Sequence, residues 1–205
     1  MAAVKDAYHH GDLRAALLEA ALQIIEEIGP QGLTIREVAR RAGVSHAAPY
    51  RHFTDKDELI LAVVERGFEL LETSMQAARD AAGDDELSRF AASGVAYLDF
   101  ALGYPTYYRV MFSGDLLNSN GKEALRHTSA ATFKQMQEDL VTAQRLGVVR
   151  EGDPKLQAIS IVSSVHGFVS LANDNRIGDL TDGDADIETM KAFVLSSIFE
   201  GLGVR

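Results

Sequence analysis

Apolar residues recur at intervals of three and four along this chain, and no stretch between turn signals alternates with the two-residue period of a half-buried strand. A chain patterned in this way buries its hydrophobic surface by packing helix on helix, so the expected fold class is all-α. Leu13, Leu17, Ala21, Ile24 and Ile28 form one stripe, with Glu19, Glu26 and Glu27 elsewhere on the wheel. Residues 11–28 therefore read as an amphipathic helix, ended by Gly29-Pro30. Thr34, three residues before Glu37, makes a capping box for a short helix over 34–41. Ala42-Gly43-Val44 is a turn, and Ser45 caps a second short helix to His52. A longer helix opens at Asp55, where Asp57 and Glu58 suit the positive end of the dipole, and runs to 82. Beyond Gly83 the pattern predicts a helix over 86–102, an aromatic segment from Pro105 to Phe112, a polar loop over 113–121 and a helix over 122–146 closed by Gly147. Asp153-Pro154 opens another to 172, an acidic loop covers 173–186, and a last helix spans 187–202.

With 205 residues and 46% hydrophobic content, a sizeable core is within reach. The absence of cysteine excludes disulfides, thiolate metal sites and thiol nucleophiles. Met1–His10 has no apolar run of the kind a signal peptide needs. Leu156–Asn173 lacks Asp, Glu, Lys and Arg but carries four serines and a histidine, and is expected to be a buried helix, not a membrane span. The chain is thus expected to be soluble and cytoplasmic. Asp182, Asp184 and Asp186 imitate the start of a calcium loop, yet the required glycine position holds Ile187 and the closing glutamate position holds Phe193. His9-His10 has no other ligand type nearby, so no metal and no cofactor is expected.

Two short helices around a glycine turn, 34–41 and 45–52, have the form of a helix-turn-helix. Ala39 and Ala42 permit close approach, Gly43 can take a positive φ, Val44 fills the space between the helices and Phe53 anchors the second to the core. Such a second helix fits a DNA major groove. The net charge of −10, from 20 basic and 30 acidic residues, argues against a polyanionic partner until it is divided by region. From Thr34 to Lys56, Arg36, Arg40, Arg41, Arg51 and Lys56 oppose only Glu37 and Asp55, a local charge of +3 that leaves −13 for the remainder.

The run TIREVARRAGVSHAAPYRHFTDKDEL, Thr34–Leu59, resembles the DNA-binding domain of TetR/AcrR-type transcriptional regulators. Its carriers are Val-Ala before the turn, Ala-Gly-Val-Ser across it, Tyr-x-His-Phe after it, and the later Lys and Leu. Tyr8–Leu13, Ala48-Pro49-Tyr50 and Ser164-Val165-His166-Gly167-Phe168 are similar to the branch with a WHG-type C-terminal domain, with serine where tryptophan is expected. The resemblance implies a DNA-binding domain over 1–56 and an effector-binding and dimerisation domain over 57–205. It implies that Thr34, Tyr50, His52 and Lys56 hold phosphates of double-stranded DNA, while Ser45, His46, Ala47 and Pro49 approach bases. Pro49 departs from the larger apolar residue common there. It removes one backbone bond to the Ser45 carbonyl, and it is either a tolerated early proline or a ring that meets a thymine methyl or sets the helix angle. With few polar groups on this helix, specificity leans on His46, Ser45, Arg36 and DNA shape.

In the C-terminal region, Leu156, Ile159, Val162 and Val169 form one apolar stripe and Ile161, Val165 and Phe168 another, with the last helix similarly apolar on more than one face. Two faces need two burial partners, and the expected second partner is another copy of the chain, giving a homodimer through a four-helix bundle. Phe100, Tyr104, Tyr107, Tyr108, Met111, Phe112, Phe133, Met136 and His166 are candidates to line a pocket for a small apolar or aromatic effector. For each, plain core packing is the alternative. The functional expectation is a ligand-responsive repressor on a pseudo-palindromic operator. The alternatives are a regulator without an effector, an activator, or an all-helical enzyme, for which the chain offers no catalytic constellation.

Overall fold

The computed structural model describes residues 10–112, 119–181, 183 and 186–203, and the described residues form helices and turns without a strand. In chain order the helices are α1 (His10–Ile28), α2 (Ile35–Arg41), α3 (Lys56–Ala81), α4 (Glu86–Gly103), α5 (Pro105–Phe112), α6 (Ser119–Arg145), α7 (Pro154–Asn173), α8 (Ile177–Leu180) and α9 (Ile187–Leu202), with 3-10 turns at Pro30–Gly32 and Pro49–Arg51. Asp182 and Asp184 of the calcium-loop imitation and part of the 113–121 loop lie outside the described residues, as do His9 and Tyr8. The aromatic segment after Pro105 is helical as α5, and α6 begins at Ser119, inside the expected loop.

Packing divides the chain into two units. The first contains residues up to Gly67 with Arg109–Arg126, and the second Phe68–Tyr108 with residues from His127 onward. In the first, Leu17, Ala21 and Ile24 of α1 are fully buried, as the stripe predicts. Ile28 is the exception at 61% exposure, while Leu18 and Ile25 complete the buried face. The expected stripe therefore turns by one position in the last turn, where the helix ends at Gly29 with φ 75°. Val38 and Ala39 of α2, Phe53, and Leu59 and Ile60 of α3 complete this core. The α3 start is built by Asp55, whose carboxylate accepts from the Glu58 amide at 2.9 Å. Glu58 in turn accepts from the Thr54 amide at 2.6 Å and hydroxyl at 2.7 Å.

In the second unit, Leu98 and Ala101 of α4 pack with Tyr108, with Val165 and Val169 of α7 and with Leu195 of α9. A second cluster joins Leu140 and Ala143 of α6, Val149, Ala158 and Leu202. Gly94 of α4 faces α9, where a Cβ would meet Leu195 at 3.4 Å, an ordinary contact distance. The turn after α6 is pinned by Gln157, which donates to the Arg150 carbonyl at 3.0 Å and accepts from Gln144 at 2.7 Å. Helix α7 is long and apolar enough to cross a membrane by composition, but it spends Ala158, Val165 and Val169 on this core. The two stripes expected on it are redistributed: Val169 joins Val165 inside, while Leu156 and Ile159 stand 67% and 51% exposed.

Leu98→Ala is expected to cost about 2–5 kcal/mol, read by chemical denaturation, because Leu98 has no exposed surface and its removal leaves a cavity. The Thr54 bonds hold the Glu58 carboxyl below its usual range, so this group contributes stability above its unfolded-state value and loses it as pH falls through the folded-state value. Thermal melts should place Glu58→Gln below wild type at pH 7, with the gap closing toward pH 3.

Candidate nucleic-acid interface

Helix α2 starts at Thr34, whose hydroxyl accepts from the Glu37 amide at 3.1 Å. Only this half of the expected capping box is built, because Arg40 engages the Glu37 carboxylate through Nε at 2.8 Å and Nη2 at 2.5 Å. The helix ends in a Schellman closure: Val44 N–H donates to the Ala39 carbonyl and Gly43 N–H to that of Arg40, with Gly43 at φ 69°. This is the positive φ that the sequence led us to expect of Gly43.

The segment after the turn is not the expected helix over 45–52. Residues 46–48 are turn and bend, followed by the 3-10 turn Pro49–Arg51. The cause is the missing N–H of Pro49. The Ser45 carbonyl, which would take a bond from residue 49 in an α-helix, accepts from Ala48 at 3.0 Å instead, and the tighter pitch continues with Arg51 N–H to Ala48 and His52 N–H to Pro49. Phe53, 2% exposed, anchors the end of the segment, with the Arg14 guanidinium 5.7 Å above its ring.

Burial sorts the candidate residues. Thr34, Arg36, Ser45, His46, Ala47 and Tyr50 are exposed, and His52 and Lys56 are half-buried. Pro49 is buried, so its assignment as a base-approaching residue is corrected: the ring packs inside the unit, and its influence on the exposed surface is the changed pitch. Lys56 spends one of its three donors on the Pro30 carbonyl at 3.1 Å, tying α3 to the turn before α2. Arg41 binds Glu27 of α1 through two contacts at 2.5 and 2.6 Å, and this holds the Glu27 carboxyl below its usual range. Arg40 does the same for Glu37. With Arg40 and Arg41 paired, the cations left in the 34–56 run are Arg36, Arg51 and Lys56 against Asp55, and of these Arg36 and Arg51 are exposed and form no ion pair among the described residues. Arg51 was not among the expected contacts. Its signal was the charge count, which included it.

The nine effector candidates do not converge on one lining. Phe100, 3% exposed, stacks at 5.3 Å on Tyr104, which is 50% exposed and meets Tyr107 edge-on at 6.3 Å. Tyr108 joins the α4–α7–α9 cluster, where its hydroxyl lies 3.0 Å from Nδ1 of His166. Phe133 and Met136 pack on the other cluster, around Leu140. Met111, 1% exposed, and Phe112 belong to the first unit. A residue missed by the sequence reading is Tyr97, which meets Tyr108 edge-on at 6.3 Å; its place on the inward face of α4, next to Leu98, was the available signal. An open groove of about 550 Å³ lies elsewhere, between α7 and α9, floored by Leu156, Ile161, Phe193 and Ile198 and bordered by Arg150, Glu151 and Asp153.

Comparison with known proteins places both parts of the chain. Residues 17–63 match the family of bacterial regulatory proteins of the tetR type, and residues 90–194 match the tetracyclin repressor-like C-terminal domain. The HTH-type transcriptional activator FasR of Mycolicibacterium smegmatis is 30% identical over 85% of this chain and 78% of its own length. An uncharacterized HTH-type transcriptional regulator of Haemophilus influenzae is 33% identical over 62% of this chain, a stretch that spans 60% of that relative. Among solved structures, a protein of unknown function from Rhodococcus sp. RHA1 superposes with TM-score 0.81 at 30% identity, covering 98% of this chain and all of the other. AibR in complex with isovaleryl coenzyme A and operator DNA shares the fold, with TM-score 0.69 at 18% identity over 91% of this chain and 98% of its own. The Schellman turn, the anchored segment behind it and both matched regions agree: the chain belongs to the TetR family of DNA-binding transcriptional regulators, an all-α protein and not an enzyme.

Proposed function

We propose that the chain is a homodimeric, ligand-responsive regulator that acts in the cytoplasm as a repressor on a pseudo-palindromic operator. Residues 1–56 serve DNA binding and 57–205 serve effector binding and dimerisation. The observation that carries the DNA reading is the exposed run Ser45-His46-Ala47 with Tyr50, flanked by Arg36 and Arg51 on a rigidly closed turn. Ser45, His46 and Ala47 meet base edges in the major groove, while Thr34, Tyr50, His52 and Lys56 hold phosphates. The 3-10 pitch presents few hydrogen-bonding side chains to bases, which shifts specificity toward His46, Arg36 and DNA shape.

The dimer reading rests on the outer face of α7 and α9. Leu156, Ile159 and Phe193 are 67%, 51% and 73% exposed there, an apolar surface that a second copy would cover. The groove border carries both signs, Arg150 against Glu151 and Asp153, as a self-complementary interface requires. The aromatic residues of the second unit suit a small apolar or aromatic effector, and the acyl thioester bound by AibR makes acyl-CoA compounds the first class to screen. An activator is the second reading, favoured by the activator role of FasR, whose matched stretch takes in most of both chains.

Genomic fragments selected by the purified protein supply the operator. Log affinity against log salt is expected to fall with slope about −5 for a dimer that neutralises roughly three phosphates per protomer. A slope near zero would sink the docking. Tyr50→Ala combined with Lys56→Ala should abolish operator binding and leave the sedimentation of the dimer unchanged. Acyl-CoA and aromatic acids added to the operator complex should release DNA in an anisotropy assay if the effector reading holds; a complex indifferent to the whole screen favours a regulator without an effector.

A further inference from the structure

Two backbone bonds in register set the rows of the segment behind the turn. Ala48 N–H donates to the Ser45 carbonyl at 3.0 Å, and Arg51 N–H donates to the Ala48 carbonyl at 3.2 Å. Bonds of this span close about three residues per turn, so side chains three positions apart eclipse one another. Ser45, Ala48 and Arg51 therefore stand on one row. Both ends of the row are exposed, and the half-buried alanine between them has nothing beyond Cβ to crowd a long arm. In an α-helix over the same residues, at about 100° per residue, Arg51 would be turned roughly 120° away from Ser45.

Pro49 decides between these two arrangements. The α-helical pitch needs an amide at position 49 to meet the Ser45 carbonyl; proline has none, and its ring would press on that carbonyl. At the far end the Pro49 carbonyl accepts from both His52 and Phe53 at 2.9 Å, which ties the row to the buried Phe53 ring. Pro49 is itself buried, so it acts on the exposed surface only through the row it sets.

The guanidinium at the end of that row is uncommitted. Arg40 and Arg41 are held by Glu37 and Glu27, whereas the exposed Arg51 side chain makes no hydrogen bond or ion pair among the described residues. Its five N–H donors form a fixed fork that matches O6 and N7 of guanine in a major groove. The same fork suits a phosphate. Yet Tyr50 and His52, the phosphate-holding residues proposed in this segment, stand on the other two rows, and the row of Arg51 carries Ser45, proposed to meet base edges.

We propose that Arg51 is a base-reading residue of the interface and Pro49 its positioning residue, a reading that rests on the docking proposed above. Arg51 donates through its fork to O6 and N7 of one guanine in each half-site. Pro49 makes that contact by denying the segment the α-helical pitch.

The test uses the full chain and an operator fragment selected from genomic DNA. Affinity is measured by fluorescence anisotropy, at several salt concentrations, for that fragment and for versions in which each base pair of one half-site is replaced in turn. The proteins are wild type, Arg51→Ala, Pro49→Ala and the double variant, with circular dichroism to confirm folding. Wild type should lose about tenfold when one G·C pair is replaced, and Arg51→Ala less than about twofold at that pair, with its preferences elsewhere kept. Pro49→Ala regains the amide and turns Arg51 off the row, so it should flatten the preference at the same pair, and the double variant should add nothing there. Should Pro49→Ala fail to fold, Pro49→Val restores the same amide and carries the comparison. An Arg51→Ala that weakens every version alike, with a salt slope shallower by about 2 for the dimer, assigns the residue to a phosphate and overturns the proposal. Arg51→Ala with wild-type preferences overturns it as well. A Pro49→Ala that keeps the guanine preference, or weakens every version alike, overturns the positioning role. Operator binding that survives Tyr50→Ala combined with Lys56→Ala overturns the docking and this proposal with it.

Discussion

The Schellman closure at Gly43 is the constraint on which the exposed segment from Ser45 to Tyr50 depends. Its two hydrogen bonds occupy the Ala39 and Arg40 carbonyls near the end of α2, and its positive φ turns the chain through an angle that a side chain at this position would resist. Everything that follows inherits that turn. Ser45, His46 and Ala47 stand exposed because the chain is reversed at 43, and Pro49 and Phe53 return to the interior six and ten residues later. The exposed segment is thus a strap fixed at both ends.

Much of this was legible in the residues. Caps at Thr34 and Asp153, breakers at Gly29, Gly83 and Gly147, and three-four spacing of apolar residues suffice to place most of the helices, because each is a local signal with a local cause. The segment after the turn was harder. The lost bond from residue 49 to the Ser45 carbonyl could be read directly from Pro49, but whether one missing donor bends a helix or converts it to 3-10 depends on the anchoring of Phe53 and on the packing of the proline ring, which are tertiary facts. Ile28 shows the same limit: its spacing fits the buried stripe, yet the helix ends beside it and the side chain stays in solvent. Most of the candidate effector residues are aromatic, and six of the nine lie between Phe100 and Phe112. Helix geometry then sends Tyr108 inward to His166, Tyr104 outward, and Phe133 to another cluster, since neighbours in sequence point to different faces of a helix.

Charge follows a similar logic. Counting along the sequence gave five cations in the motif, but the fold pairs Arg40 with Glu37 within α2 and Arg41 with Glu27 of α1. Both ion pairs are exposed and contribute little stability, though they decide which guanidinium groups keep their donors uncommitted. The protein as a whole stays acidic, and the cations of this surface are distributed around Arg36 and Arg51 more narrowly than a residue count suggests.

The bond from Lys56 to the Pro30 carbonyl occupies one donor of its ammonium group. Its flexible stem and three rotatable donors allow it to brace the turn between α1 and α2 while still facing outward, something a planar guanidinium does less readily. A residue placed this way links the order of the 30–32 turn to the occupancy of whatever anion the lysine meets. Anion binding at that point would stiffen the entry to α2, so ions in solution, not only nucleic acid, become a variable in how firmly the N-terminal unit holds its shape.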